Sequence, residues 1–244
     1  MRLATAPGLG APATPASRPG NRERGDGPLP LLLVGMTVVT GLVDAFSYLR
    51  LAHVFVANMT GNVVFLGFGL SGAGDIAVSA SLVAIVAFTL GAAAGGRWAL
   101  ARVPHRGRLL AMAAAVEAGL VVAAAVVAQT VGIGSSAVRL TLVSVLAGAM
   151  GGQNAVARRL AVPDRTTTVL TLTVTGLVAD ATSWSIRLRR LVPIGAMLGG
   201  ALAGGALLRW VSTPAPLWIA TALLLSCALT AHAATRRPQS HAWR

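Results

Sequence analysis

Eight apolar stretches follow one another along this chain, at about residues 29–48, 54–70, 76–100, 108–131, 136–157, 166–186, 191–210 and 215–233. A helix needs about 20 residues to cross the hydrocarbon of a bilayer. Six of the stretches reach that length with few polar residues. Inside hydrocarbon every backbone N–H and C=O must be satisfied within the protein, so a chain of such stretches is confined to α-helices. Charge agrees: only 11% of the 244 residues are Asp, Glu, Lys or Arg and 55% are hydrophobic, against about 25% charged in a soluble domain. That is too little charge to coat a water-facing surface. The apolar bulk is Ala, Val, Leu and Gly, whose small members let transmembrane helices approach closely.

Two stretches depart from the pattern. Residues 54–70 are short and hold Asn58, Thr60, Gly61 and Asn62; residues 166–186 carry Thr166, Thr167, Thr168, Thr171, Thr173, Thr175 and Asp180. Arginine placement bears on whether they cross, because cytoplasmic loops near span ends collect basic residues. All 20 basic residues are Arg. With eight crossings (a 4+4 arrangement) and an inner N-terminus, 11 would lie inside and 9 outside. If both odd stretches instead enter and leave on one side, only Arg50, Arg139 and Arg209 face outside and 17 face inside. The expectation is six spans plus two re-entrant or broken helices, with both termini cytoplasmic. Residues 1–28, rich in Ala, Pro, Gly and Arg without an apolar run, read as a disordered tail. Residues 29–233 form one transmembrane domain, and 234–244 a basic tail. The +13 charge sits in clusters between spans, which fits membrane orientation and excludes a nucleic-acid partner.

The halves, about 29–131 and 136–233, echo each other. Gly41-Leu42-Val43-Asp44-Ala45 matches Gly151-Gly152-Gln153-Asn154-Ala155, Thr60 falls opposite Thr171, and Gly91/Gly95 fall opposite Gly200/Gly204. The offsets, 154 − 44 = 110, 171 − 60 = 111 and 200 − 91 = 109, stay in register. A duplicated unit with three spans enters the membrane upside down the second time, giving a 3+3 inverted repeat, an arrangement common among transporters.

At Gly41–Gly69 the run Gly-Leu-Val-Asp-Ala-Phe-Ser-Tyr-Leu, followed by Val54-Phe55-Val56-Ala57-Asn58-Met59-Thr60-Gly61-Asn62, resembles the YoaK-like bacterial membrane proteins. Gly152-Gln153-Asn154-Ala155 and the Thr-rich stretch after Pro163 resemble that family's second motif, and the likeness covers about residues 30–233. The second motif departs from the family pattern at Thr171-Leu172, where Thr-Gly is expected. Leu lacks the backbone freedom of Gly, which implies a more regular second element. The resemblance implies a bacterial cytoplasmic membrane and no established activity.

Three acidic residues lie in apolar stretches, where a charge is costly and so is buried, paired or functional. Glu117 sits nearest a span centre and Asp44 within the repeated motif; both are candidates for proton or cation coupling. Glu117 could alternatively be a neutral or Arg-paired carboxyl that fixes packing. Asp44 could pair with Arg50 or cap the following loop. Asp180, near Arg187, reads as an interface residue. Asn58 and Asn62 are spaced to share a helical face, and Gly61 permits a helix break that would expose backbone to a ligand. With Thr60, Thr167, Thr171 and Asn154 they are the candidate solute site, placed where 54–70 meets 166–186. The competing reading is hydrogen bonding between helices. The Gly91/Gly95 and Gly200/Gly204 pairs read as close helix contacts, or as the faces of a homo-oligomer. Trp98, Trp210 and Trp218 read as interface anchors, His53 as interfacial, and Cys227 as a small core residue.

No metalloprotease, nucleophile-elbow, Walker or Cys/His metal signature is present, so neither an enzyme nor a cofactor is expected. The function expected from sequence is a small-solute or ion permease with proton or cation coupling; the alternative is a non-transporting scaffold or assembly partner. The partners expected are the lipid bilayer and an unidentified solute or ion.

Overall fold

The computed structural model describes residues 28–73, 78–102, 105–160, 174–175 and 184–236. Among them the helices are α1 (Leu29–Phe46, continued by a π-helical stretch Ser47–Ala52), α2 (Met59–Leu70), α3 (Val78–Arg102), α4 (Arg106–Thr130), α5 (Ser136–Leu160), α6 (Trp184–Trp210) and α7 (Ala215–Thr235). No strand occurs among the described residues. Pro28 and Pro214 sit at the N-caps of α1 and α7, and each helix has a proline in its first turn. The first N–H groups of a helix have no intrahelical acceptor, so proline is tolerated there.

All helices but α2 contain a segment long and apolar enough to cross a bilayer. Helix α2 has 12 residues, about 18 Å at 1.5 Å per residue, well short of a ~30 Å hydrocarbon core. It packs on α3. The chain is therefore a polytopic α-helical membrane protein, and among the described residues it has six candidate spans and a short helix after the first.

The direction of each span follows from which ends share a core. One apolar cluster joins the second half of α1, the start of α3 (Ala80, Ala84), the second half of α4, the first half of α5, Leu208 near the end of α6, and the first half of α7. The other joins Leu29–Met36, the start of α4, and the ends of α5 and α7. Hence α1, α4 and α6 run one way and α3, α5 and α7 the other. Helix α3 begins at the end of the bundle where α1 finished, and α6 begins where α5 finished. Eight single crossings would make α4 and α7 parallel. Instead Trp218, near the start of α7, donates 2.9 Å to Gln129, near the end of α4. The 4+4 alternative is overturned.

This arrangement sorts the arginines. Of those described with their side chains, Arg50, Arg139 and Arg209 lie towards one end; Arg97, Arg106, Arg108, Arg158, Arg159, Arg187, Arg189, Arg190 and Arg236 lie towards the other.

Helices α1 and α6 pack in parallel through glycines, as do α3 and α5. A Cβ on Gly41 would meet the Met197 carbonyl and the Ala201 nitrogen; one on Gly151, 110 residues on, would meet the Phe88 carbonyl and the Ala92 nitrogen, each 109 residues earlier. Gly200 faces Val38 as Gly91 faces Gly148, and Gly204 faces Leu42 as Gly95 faces Gly152. Two pairs of helices thus meet through the same contacts. The expected close helix packing at Gly91/Gly95 and Gly200/Gly204 is found within one chain.

Candidate functional site

Two groups of buried polar side chains occur along the bundle, and they do different things. The first closes the chain back on itself after α1. Past the π-helical stretch, His53 adopts a left-handed conformation (φ 54°, ψ 36°) and turns the backbone towards α1. The Asp44 carboxylate, about 10 Å back along the helix, accepts hydrogen bonds from the amides of Val56 and Ala57 through Oδ1, each 2.9 Å. Its Oδ2 has no hydrogen-bond partner. Asn62, fully buried, clamps the same segment: its Oδ1 accepts from Phe55 N at 2.9 Å and its Nδ2 donates to Phe55 O at 2.6 Å. Tyr48, Phe55 and Phe65 stack beside this loop, and the Tyr48 ring meets His53 edge-on.

The candidate solute site drawn from the first motif is not assembled in this way. Helix α2 starts at Met59, so Asn58 precedes it with an uncapping, exposed side chain and shares no helical face with Asn62. Gly61 makes no break, because α2 runs through it; its lack of a side chain admits the Phe55 ring, whose Cδ2 would lie 2.8 Å from a Cβ there. Thr60 is exposed. Asn62 spends both amide atoms on the Phe55 backbone. Asp44 caps the loop, and Arg50 instead donates to the Leu208 carbonyl at 3.0 Å. Asn154 donates to Met150 O of its own helix at 3.0 Å. Thr167, Thr171 and Asp180 lie outside the described residues, as does the Trp98 side chain.

The second group lies mid-bundle. Glu117 is 11 residues from the start and 13 from the end of α4, and is 3% exposed. No Arg pairs with it among the described residues. Its neighbour is Gln153 of α5, 4% exposed, whose amide lies between the carboxyl and Thr40 of α1. Oriented to satisfy its hydrogen bonds, the amide nitrogen donates to the Glu117 carboxyl (2.5 and 3.1 Å) and its oxygen lies 3.1 Å from Thr40 Oγ1, so one side chain bridges α4, α5 and α1.

Glu117 and Gln153 also line a cavity of about 380 Å³ between α3, α4 and α5, and theirs are the only polar side chains among its lining residues. The glycines of the α3–α5 seam (Gly91, Gly95, Gly148, Gly152) line one wall. Helices α3 and α4 each pack on α5 or α7 rather than on one another, so the cavity opens sideways, past Val116 (59% exposed) and Leu120 (37%). It does not touch α2. The sequence reading picked Glu117 correctly as a central carboxyl but passed over Gln153 and Thr40. An amide seven residues from the end of a membrane span was the available signal for Gln153.

Residues 32–230 match a family model described as "Protein of unknown function (DUF1275)". The "UPF0700 transmembrane protein YoaK" of Bacillus subtilis (strain 168) is 43% identical over 60 residues, 25% of this chain and 27% of that protein. The match thus spans about a quarter of that relative's length. No solved structure matches significantly.

Proposed function

The chain belongs to the DUF1275 family; on that premise, which carries a membrane setting and no activity, we propose that it is a small secondary permease in which Glu117 carries the coupling proton or cation. One observation carries this reading: a buried mid-span carboxyl, unpaired with any Arg among the described residues and held by the Gln153 amide, borders a cavity large enough for a small solute. Pockets of about 300 Å³ and more are typical of small-molecule sites. A carboxyl kept only for packing has no need of an adjoining void, and a charge at this depth is otherwise costly.

Two further features support the permease reading. The matching contacts of α1–α6 and α3–α5 fit an inverted repeat, in which α1, α3 and α4 correspond to α5, α6 and α7. In that repeat α4 and α7 meet their own counterparts, and the α4–α5 contact answers the α7–α1 contact. Such a pair of halves can rock about a site on their shared seam. The uneven arginines support an orientation in the cytoplasmic membrane with both termini inside.

The proton is testable before any solute is known. On a solid-supported membrane, a pH jump across reconstituted protein moves charge if an intramembrane carboxyl titrates as part of the cycle. Wild-type protein should give a transient current, and Glu117→Gln of unchanged thermal stability should give none. Equal currents in the two proteins, or no transient in wild type, would overturn the role of Glu117 and return the chain to a scaffold.

A further inference from the structure

The cavity beside Glu117 has a chemistry that narrows what it can hold. Its walls are aliphatic and glycine, with an accepting carboxyl and one amide as the polar groups. An anion entering it would meet Glu117 with no arginine to offset the repulsion among the described residues. A sugar or amino acid would leave several hydroxyl, ammonium or carboxyl groups unpaired against hydrocarbon, at about 1–3 kcal/mol each. What fits is a body that is apolar all round with a single positive charge. The carboxylate would replace that ion's counterion in a medium where charge pairs are strong.

The route in points the same way. The mouth lies between α3 and α4, among residues whose side chains are exposed on the outside of the bundle: Ala94, Val116 and Leu120. In a bilayer that flank faces acyl chains. A lipophilic cation partitions into the membrane first and reaches the cavity from there, with no water-filled vestibule.

We propose that the substrate class of this site is the lipophilic organic cation, entering from the bilayer between α3 and α4 and competing with the proton for Glu117. The inference rests on the permease reading for transport, but not for binding. The groups that face Glu117 from its packing partners leave the competition to this one carboxyl. Helix α5 offers Gln153, with Arg139, Arg158 and Arg159 towards its ends; α7 offers Cys227 at mid-span, with the exposed His232 beyond it; α1 offers Thr40, with Asp44 committed to its loop.

The test uses two probes of one shape and opposite charge, tetraphenylphosphonium and tetraphenylborate, with purified full-length protein in detergent. Wild-type protein should bind the phosphonium saturably and at least tenfold more tightly than the borate. Its affinity should weaken by up to tenfold per pH unit wherever the carboxyl takes up a proton. Glu117→Gln should lose at least tenfold in affinity. Ala94→Phe guards against misfolding as the cause of that loss: it changes an exposed residue at the mouth and should block binding with thermal stability unchanged. Preference for the borate, or full binding in both variants, would overturn the proposed class. Binding of the phosphonium that depends on Glu117, with no pH-driven uptake in proteoliposomes, would keep the cation site and defeat the permease. A pH-jump current without phosphonium binding would do the reverse.

Discussion

Replacing Asp44 separates two roles for a carboxyl that sits in the first repeated motif. In the structure it accepts two backbone hydrogen bonds at 2.9 Å through Oδ1, from Val56 and Ala57, while Oδ2 meets no partner. Asp44→Ala removes the acceptor and strands two amides, one of them on the fully buried Val56. A stranded buried donor costs about 1–3 kcal/mol, so the variant should lose about 2–6 kcal/mol. Asp44→Asn keeps an oxygen where Oδ1 lies but leaves a buried amino group without a partner where Oδ2 lies. It should lose about 1–3 kcal/mol, less than the Ala variant, by the same reasoning. Reversible unfolding in mixed micelles of sodium dodecyl sulfate measures both, and limited proteolysis near His53 shows whether the loop has come loose. If Asp44 serves only as an anchor, Asp44→Asn should also keep the pH-jump current. An Asn variant as unstable as the Ala variant would refute the reasoning, because the retained oxygen would then contribute nothing. A loss of current alone would return Asp44 to ion coupling.

Three other outcomes follow from the same geometry. Asn62→Leu, close in size but unable to bond the Phe55 backbone, should cost about 2–4 kcal/mol in the same unfolding assay; a neutral result would mean the clamp is dispensable. Gly41→Ala and Gly151→Ala should each cost about 1–3 kcal/mol through overpacking, and by similar amounts because they make equivalent contacts. Gly119→Ala, with nothing within 4 Å of a new Cβ, should be neutral or slightly stabilising in its helix, and equal losses at all three would contradict the packing. Finally, single cysteines at Ala73 and Leu188 in a Cys227→Ser background should label from opposite sides of the membrane, Ala73 alone in intact cells with an impermeant reagent. Labelling of both, or of Leu188 alone, would be incompatible with the six-span order oriented with its termini inside.

The spans, the shortness of 54–70 and the glycine seams were legible because they depend on properties local in sequence: length, polarity and small-residue spacing. Arginine counting also chose correctly between six and eight crossings, since the helix directions it implies are those of the two core clusters. What the chain did not disclose was which polar side chains point inward together. The spacing of Asn58 and Asn62 means a shared face only inside a helix, and the helix starts at Met59. That start depends on Asp44 drawing Val56 and Ala57 towards α1, a contact between residues 12 and 13 apart in sequence. Likewise Gly61 reads as a break when considered alone, whereas the bend falls earlier and the glycine instead makes room for Phe55. The motif's Asn154 stood out because it aligns with Asp44, yet its neighbour Gln153 is the residue turned towards Glu117.

That difference bears on why the Glu117 site has no mirror image among the described residues although the halves echo each other. Counting 110 residues from Glu117 leads to Cys227, and counting back 110 from Gln153 leads to Val43. Both counterparts are buried. At the positions where one half sets a carboxyl against an amide, the other half sets a small thiol against an aliphatic side chain. The thiol packs near Gly35, 3.1 Å from where a Cβ there would lie. The glycine contacts match between the two helix pairs, while the polar pair stands at one of the two matching places only. Two equivalent carboxyls would lie close together across the α4–α7 contact, and like charges in so apolar a setting repel strongly. One carboxyl avoids that repulsion, and on the proposed reading it is the point at which a proton and a cation would exclude one another.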